Sequence, residues 1–146
     1  MKKSTISLIL PDINVWLAIL LEDHVHRPAA VRWWEHDRSD VLGFIRFTQV
    51  GVLRLLTTPA AMNGKPLNMA EAWAAYDCLF TDERVAFVGE STGLEQLFRE
   101  ASQANQASPK LWADALLVAF AQQRSAEIVT FDQALASRYP KSILLK

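Results

Sequence analysis

The sequence predicts an α/β fold, an α/β/α sandwich with a central, mostly parallel sheet. Short apolar runs alternate along the chain with longer segments in which apolar residues recur at helical spacing. Strands that are separated by helices pair in parallel through right-handed crossovers, and the helices then cover both faces of the sheet. The chain has 146 residues, the length of one domain with its own core. We therefore predict a single domain over residues 1–146.

The short apolar runs are predicted to be strands, and the last of them is predicted to lie at the edge of the sheet. They cover residues 6–10, 41–45, 84–88, 127–131 and 142–145. The segments between them have the apolar spacing of helices. These cover residues 15–21, 28–38, 47–56, 69–80, 94–101, 111–121 and 132–138.

Two short sequences predict where helices begin. Thr92 and Glu95 have the Thr-x-x-Glu form of a capping box, which predicts the start of the helix at 94–101. Ser108 followed by Pro109 is typical of a cap and a first helical turn.

Composition and charge limit the classes of function. Fifteen Lys and Arg residues against sixteen Asp and Glu give a formal charge of −1, so any binding of RNA must use a local basic patch. The single cysteine, Cys78, cannot form a disulfide within the chain, which favours a reducing compartment. Pro11 interrupts the first apolar run before it reaches the length of a signal peptide, and a membrane span over 6–21 would bury Asp12 and Asn14 in lipid. We expect a cytoplasmic protein that does not enter the membrane.

Two aspartates come directly after predicted strands. In open α/β sheets, ligands bind beyond the carboxyl ends of the strands, so Asp12 and Asp132 are expected to face one crevice. Either residue alone could simply cap the helix that follows it, a role worth about 1 kcal/mol.

A third aspartate, Asp114, is harder to explain by structure alone. It lies about one and a half turns inside the predicted helix that begins at Ser108, and every other residue from 111 to 121 is apolar. A buried carboxylate in such a place needs a metal ion, a cationic partner such as Arg54, or a path to solvent. If the three aspartates converge, a hard divalent ion such as Mg²⁺ or Mn²⁺ suits their oxygen ligands and relieves their repulsion. An ion held in this way can position a phosphodiester and activate water.

Three motifs in this order resemble those of PIN-domain ribonucleases, and VapC toxins in particular. They are Leu10-Pro11-Asp12-Ile13-Asn14-Val15-Trp16-Leu17-Ala18, Lys110-Leu111-Trp112-Ala113-Asp114-Ala115 and Val129-Thr130-Phe131-Asp132. A middle segment, Phe47-Thr48-Gln49-Val50-Gly51-Val52-Leu53-Arg54-Leu55-Leu56-Thr57, resembles one VapC subfamily, so the resemblance runs over almost the whole chain.

The resemblance implies a metal-dependent endoribonuclease toxin of a type II toxin-antitoxin pair, which cleaves structured RNA such as tRNA or rRNA. It implies that Asp12, Asp114 and Asp132 hold the metal, and that Asn14 and Thr130 support the site by hydrogen bonds. It also implies a VapB-type antitoxin as partner, and we expect a homodimer.

The sequence departs from the family pattern at Gln49, where many PIN domains have a further acidic residue. One interpretation is that Gln49 orients water or RNA in an active subfamily. The other is that metal binding is weak and activity is lost, which leaves a catalytically silent module that acts by binding protein. Glu90, after the strand at 84–88, could supply the missing carboxylate.

Basic and aromatic residues are further candidates for binding. Three cationic residues near the predicted crevice could contact phosphates, namely Arg46, Arg54 and Lys110. Four tryptophans are expected to pack mainly in the core, namely Trp33, Trp34, Trp73 and Trp112. Adjacent residues on a helix point about 100° apart, so one of Trp33 and Trp34 is expected to face a partner.

Other classes of function fit the sequence less well. The three histidines and one cysteine lack the spacing of a zinc site. A phosphatase of the haloacid-dehalogenase type needs a second aspartate two residues after Asp12, where this chain has Asn14. A response-regulator receiver needs paired acids after the first strand, and that pattern is also missing.

Overall fold

A computed structural model describes residues 6–146 and shows one five-stranded sheet in which all pairs are parallel. The strand order is β3-β2-β1-β4-β5. The strands are β1 (Leu8–Pro11), β2 (Val41–Phe44), β3 (Val85–Phe87), β4 (Glu127–Thr130) and β5 (Ser142–Leu144). Residues 1–5 lie outside the described part of the chain.

Within the described residues, seven helices connect and flank the strands. They are α1 (Ile13–Leu20), α2 (Arg27–His36), α3 (Arg46–Leu56), α4 (Met69–Leu79), α5 (Leu94–Ala101), α6 (Leu111–Arg124) and α7 (Gln133–Arg138). Every strand and helix predicted from the sequence is present, with bounds that differ by a few residues. The predicted α/β/α sandwich with a parallel sheet is confirmed. In the part of the chain that the structure describes, no helix has both the length and the apolar character needed to span a membrane.

Alternation along the strands builds a core on each face of the sheet. Ile9 and Phe44 face one core, which they share with residues of α1, α3 and α4. Leu10 and Ile45 face the other core, which they share with residues of α5, α6 and α7. Trp16 of α1 is fully buried in the first core and stacks on Phe44 with ring centroids 4.0 Å apart.

The start of α1 is held by a close approach of α3. A Cβ atom added at Gly51 would lie 2.3 Å from Cδ1 of Ile13, so glycine lets the Ile13 side chain pack directly on the backbone of α3. Because Ile13 directly follows Asp12, this packing also fixes the backbone beside the candidate site.

Both predicted helix caps are wrong. Helix α5 begins after Gly93, whose φ of 93° is left-handed, and the side chain of Thr92 makes no cap. Helix α6 begins at Leu111 after a turn in which the Leu111 N–H donates to the carbonyl of Ser108, so Ser108 is not its cap. The capping box forms elsewhere, at Asn68 and Glu71 of α4.

The predicted roles of the tryptophans also need correction. Trp33 and Trp34 are both partly buried against the first core, and the expectation that one of them faces a partner stays a prediction. The exposed tryptophans are Trp73 (47%) and Trp112 (60%), for which core packing was expected. Trp112 is exposed because α6 is not buried on all sides in its first turn, where that side chain points to solvent.

Candidate metal centre

A hydrogen-bonded chain joins the ends of the two central strands. Asp12 follows β1, and its backbone N–H donates to the carbonyl of Val129 at 2.9 Å. The hydroxyl of the fully buried Thr130 donates to Oδ2 of Asp12 at 3.0 Å and accepts from the backbone N–H of Asp132 at 2.9 Å. Thr130 therefore connects two of the predicted metal-site residues.

Asp12 and Asp132 also cap the helices that follow them. Oδ1 of Asp12 accepts from the N–H of Ile13 at 2.8 Å. Oδ1 of Asp132 accepts from the N–H groups of Ala134 and Leu135 at 2.8 Å and 3.3 Å. Each aspartate thus uses its Oδ1 atom to cap a helix, which is the structural role that the sequence left open. The Oδ2 atom of Asp132 has no partner among the described residues.

Burial raises the pKa of Asp12. The negative charge of Asp132 raises it further, and the hydrogen bonds from Ile13 and Thr130 act in the opposite direction. The net effect is a raised pKa, so the hydrogen bonds from Ile13 and Thr130 do not fully offset the cost of burying this charged carboxylate.

Asp114 lies on α6 and faces the same group of charges. Its side chain is 25% exposed, and it belongs to the first turn of the helix rather than lying one and a half turns inside, because α6 begins at Leu111. Burial raises the pKa of Asp114, and the carboxylates of Asp132 and Asp12 raise it further. The three predicted aspartates are therefore close enough to repel one another.

The cation near Asp114 is Arg138. The prediction that Arg54 could pair with Asp114 is therefore wrong. Nε of Arg138 lies 4.0 Å from Oδ2 of Asp114 and acts to lower the pKa of that carboxyl, but burial and the other aspartates outweigh it. Arg54 is exposed on α3, about 12 Å along the helix axis from Arg46. Sequence reasoning missed Arg138, although it lies on the short helix that Asp132 caps.

The donor set fits a hard divalent cation in its chemistry. All three residues offer carboxylate oxygens, and Asp12 and Asp114 carry charge that the protein leaves poorly compensated. Within residues 6–146, however, no three Asp, Glu, His or Cys side chains are gathered closely enough to surround one ion in this conformation. Binding an ion would require the carboxylates to approach one another.

Gln49 is buried and held by two other residues. Its Oε1 accepts from a terminal N–H of Arg46 at 2.7 Å, and its Nε2 donates to the hydroxyl of Tyr76 at 3.2 Å. Tyr76 was not identified from the sequence, because its contact with Gln49 depends on how α4 packs against α3. Both ends of the Gln49 amide are thus occupied away from the aspartates.

The remaining predicted residues lie around the carboxyl edge of the sheet. Asn14 is exposed in the first turn of α1, and no hydrogen bond of its side chain is present among the described residues. Lys110 is exposed just before α6. Glu90 lines a cavity with Arg46 and does not contribute to the raised pKa of Asp12 or Asp114.

The histidines do not form a metal site. Rings of His24 and His26 lie 5.8 Å apart, and His26 stacks on Phe131 at 4.3 Å. Burial and the neighbouring His26 lower the pKa of His24. The described part of the chain has no cluster of three or more His, Cys, Asp or Glu side chains that includes these histidines.

Comparison with known proteins agrees with this architecture. Residues 9–141 match the family model described as PIN domain. The chain is 40% identical over 132 residues to Ribonuclease VapC41 of Mycobacterium tuberculosis, an alignment that covers 87% of this chain and 90% of that protein. The same identity and coverage are found in two strains of that organism, CDC 1551 / Oshkosh and ATCC 25618 / H37Rv.

Two solved structures share the fold. One is Mycobacterium tuberculosis VapC20, described as a sarcin-ricin loop cleaving toxin, with a TM-score of 0.65 and 16% identity over 88% of this chain and 93% of that one. The other is PAE2754 from Pyrobaculum aerophilum, with a TM-score of 0.62 and 17% identity over 97% of this chain and 91% of that one. The family match, the identity to VapC41 and the shared fold confirm the resemblance seen in the sequence. The chain belongs to the PIN-domain family and is a homologue of the VapC ribonucleases.

Proposed function

We propose that this protein is a metal-dependent endoribonuclease and the toxin of a type II toxin-antitoxin pair. The observation that carries the proposal is that Asp12, Asp114 and Asp132 lie at the carboxyl edge of the sheet, where burial raises the pKa values of Asp12 and Asp114 and neighbouring aspartates raise them further. The identity to a VapC ribonuclease over most of both chains supports the same reaction.

Asp12, Asp114 and Asp132 would hold Mg²⁺ or Mn²⁺. When bound, the ion would position a phosphodiester of RNA and lower the pKa of an attacking water. The free Oδ2 of Asp132 is a suitable ligand atom, since Oδ1 is engaged with the start of α7.

The chain's own residues would prepare the carboxylates for this task. Thr130 would fix the orientation of Asp12 through its hydroxyl and the backbone at Asp132, so that only small side-chain movements would be needed when an ion binds. Arg138 partly compensates the charge of Asp114 in the absence of a metal. Asn14, exposed beside Asp12, is placed to contact water or RNA.

Exposed cations would attract the RNA backbone. Arg46 and Lys110 lie at the starts of α3 and α6, at the edge of the sheet where the aspartates are. Gln49 would act by holding Arg46 in place. Arg54 lies further along α3 and would contact a more distant phosphate. Because the net charge of the chain is −1, such local contacts must supply the attraction. We expect structured RNA such as tRNA or rRNA to be the substrate.

Exposed apolar residues support a role for protein partners. Phe47 and Val50 are 39% and 53% exposed on α3, and Trp112 is 60% exposed on α6. Phe47 and Val50 are three residues apart and so lie on one face of α3, where they would offer an apolar surface to a protein partner. We expect a VapB-type antitoxin to bind this protein, a homodimer to form, and both to occur in the cytoplasm.

A second function is favoured by one observation. The aspartates are not gathered around a single point in this conformation, and Gln49 adds no acid to the site. A catalytically silent PIN-like module that acts by binding protein therefore remains the alternative.

Cleavage of RNA distinguishes the two functions. Purified protein should cleave tRNA or rRNA transcripts with Mn²⁺ or Mg²⁺, and chelation with EDTA should stop the reaction. Asp12→Asn and Asp114→Asn should abolish cleavage while circular dichroism shows that both remain folded. Expression without an antitoxin should arrest growth. Healthy growth with abundant soluble protein, together with no metal-dependent cleavage, would favour the silent module.

A further inference from the structure

A cavity of about 560 Å³ opens at the carboxyl edge of the sheet, beside the candidate metal centre. Its inner wall is apolar and includes the buried side chains of Ile45, Leu94 and Phe120. Its rim carries two aromatic residues, Phe47 and Phe87, each 39% exposed.

The cavity lies one strand away from Asp12. Strands β1 and β2 pair with Ile9 opposite Leu42, so continuing this register places Ile45 opposite Asp12. Neighbouring strands are about 4.8 Å apart. Helix α6, which carries Asp114, also contributes Leu116 and Phe120 to the cavity wall. A nucleotide whose phosphate lies at the aspartates could therefore place its base, or the base of its neighbour, in this cavity.

We propose that the cavity binds one unpaired guanine of the RNA, next to the phosphate that is cleaved. The proposal rests on the proposed ribonuclease function and names a feature of its substrate. Single-stranded bases are recognised by stacking on aromatic rings or guanidinium planes. Here the guanidinium of Arg46 lies 4.5 Å from the centroid of the Phe87 ring, and Phe47 offers a second exposed ring.

The charges at the rim select the base. Glu90 lines the cavity and makes no ion pair or hydrogen bond among the described residues, so both of its oxygens are available. Guanine is the base whose Watson–Crick edge presents two adjacent N–H donors, at N1 and N2, which a carboxylate accepts together. Its O6 and N7 atoms accept from a guanidinium. Arg46 gives one N–H to Gln49 and retains others for such a contact. A carboxylate and a guanidinium on one cavity therefore complement guanine, whereas uracil would leave Glu90 poorly matched.

Binding of labelled RNA in EDTA tests the proposal without any cleavage. The probes are single-stranded heptaribonucleotides with one central guanine, adenine or cytosine in a uridine background, and fluorescence anisotropy gives each Kd. We expect the guanine heptamer to bind about tenfold more tightly than the others, the size of one good bidentate contact. All heptamers have the same number of phosphates, so the ratio removes the general attraction of the backbone.

Two variants determine whether Glu90 reads the base. Glu90→Gln should reduce the preference to less than about threefold, because an amide cannot accept both N–H groups. Glu83→Gln, at another exposed site, before the start of β3, should keep the full preference. Equal binding of all heptamers, or a preference that survives in Glu90→Gln, would overturn the proposal and favour a partner's side chain as the occupant. A guanine preference in a protein that cleaves no RNA would instead support the cavity and refute the ribonuclease function.

Discussion

The hydroxyl of Thr130 donates a hydrogen bond of 3.0 Å to Oδ2 of Asp12, a residue 118 positions earlier in the chain. The hydroxyl oxygen of Thr130 also accepts a hydrogen bond from the backbone N–H of Asp132. One buried hydroxyl thus joins the ends of β1 and β4, because it orients the carboxylate of Asp12 and holds the backbone at Asp132. No other described residue bonds to Oδ2 of Asp12 or to the N–H of Asp132. Loss of the hydroxyl should therefore change both the stability of the protein and the pKa of Asp12.

Thr130→Val removes the hydroxyl and keeps the shape of the side chain. The N–H of Asp132 then loses its acceptor, and we expect the free energy of unfolding to fall by about 1–3 kcal/mol. Because the bond from Thr130 lowers the pKa of Asp12, that pKa should rise in the variant. Urea denaturation and a carboxyl NMR titration of the metal-free protein measure the two effects. Thr130→Ser keeps the hydroxyl and serves as control; identical Asp12 titration in both variants would show that the bond is unimportant.

The stability of the metal-free protein should depend on pH in a defined direction. Folding raises the pKa values of Asp12 and Asp114 above the ordinary 3.8, so between that value and the raised values the folded protein binds more protons than the unfolded chain. The free energy of unfolding should therefore fall as pH rises through this window. Asp114→Asn should reduce the fall and be more stable than wild type at neutral pH.

Urea denaturation in EDTA at a series of pH values measures this effect. Asp23→Asn, an exposed aspartate in the loop after α1, is the matched control and should follow the wild-type curve. Parallel curves for Asp114→Asn and wild type would contradict the raised pKa of Asp114. Addition of Mn²⁺ at one hundred times its Kd should stabilise the wild type by about 2.7 kcal/mol at neutral pH.

Gln49→Glu tests whether residue 49 reaches the metal. The amide of Gln49 contacts Arg46 and Tyr76, so a carboxylate in its place should pair with Arg46. We expect the affinity for Mn²⁺ to change by less than about twofold, the range of weak long-distance charge effects. Gln122→Glu, exposed near the far end of α6, makes the same change of charge and is the control. An increase of tenfold or more in Gln49→Glu alone would place residue 49 in the metal site.

Gly51→Ala should push α3 away from the start of α1. The new Cβ would lie 2.3 Å from Cδ1 and 3.0 Å from Cγ1 of Ile13, and such overpacking costs about 1–3 kcal/mol. The double variant with Ile13→Val lacks the Cδ1 atom and should recover part of the loss. Thermal or urea denaturation of both proteins measures the recovery, and a single variant as stable as the wild type would show that the Ile13 side chain moves aside without cost.

The sequence was sufficient for the sheet and for two of the aspartates. Asp12 and Asp132 follow apolar runs, and in a parallel sheet the ends of such runs meet at one edge. The position of Asp114 within its helix was less predictable. The Ser108-Pro109 pair suggested that the helix begins earlier than Leu111, where it is observed to begin. That error placed Asp114 too deep in the helix.

Contacts between distant helices could not be predicted. The bond between Gln49 and Tyr76 joins residues 27 positions apart, and it depends on how α4 packs against α3. The pairing of Arg138 with Asp114 depends on the placement of α7 beside α6. The spacing of residues within a helix determines which side chains share one face of that helix. It does not determine which faces of two different helices pack against each other.

Calorimetric titration of metal-free protein with Mn²⁺ most directly tests whether Asp12, Asp114 and Asp132 hold one ion. We expect the wild type to bind one Mn²⁺, and each Asp→Asn variant at these positions to bind at least tenfold more weakly while remaining folded. The control Asp23→Asn should bind as the wild type does. Equal affinity in wild type and in all three variants would contradict a shared metal site.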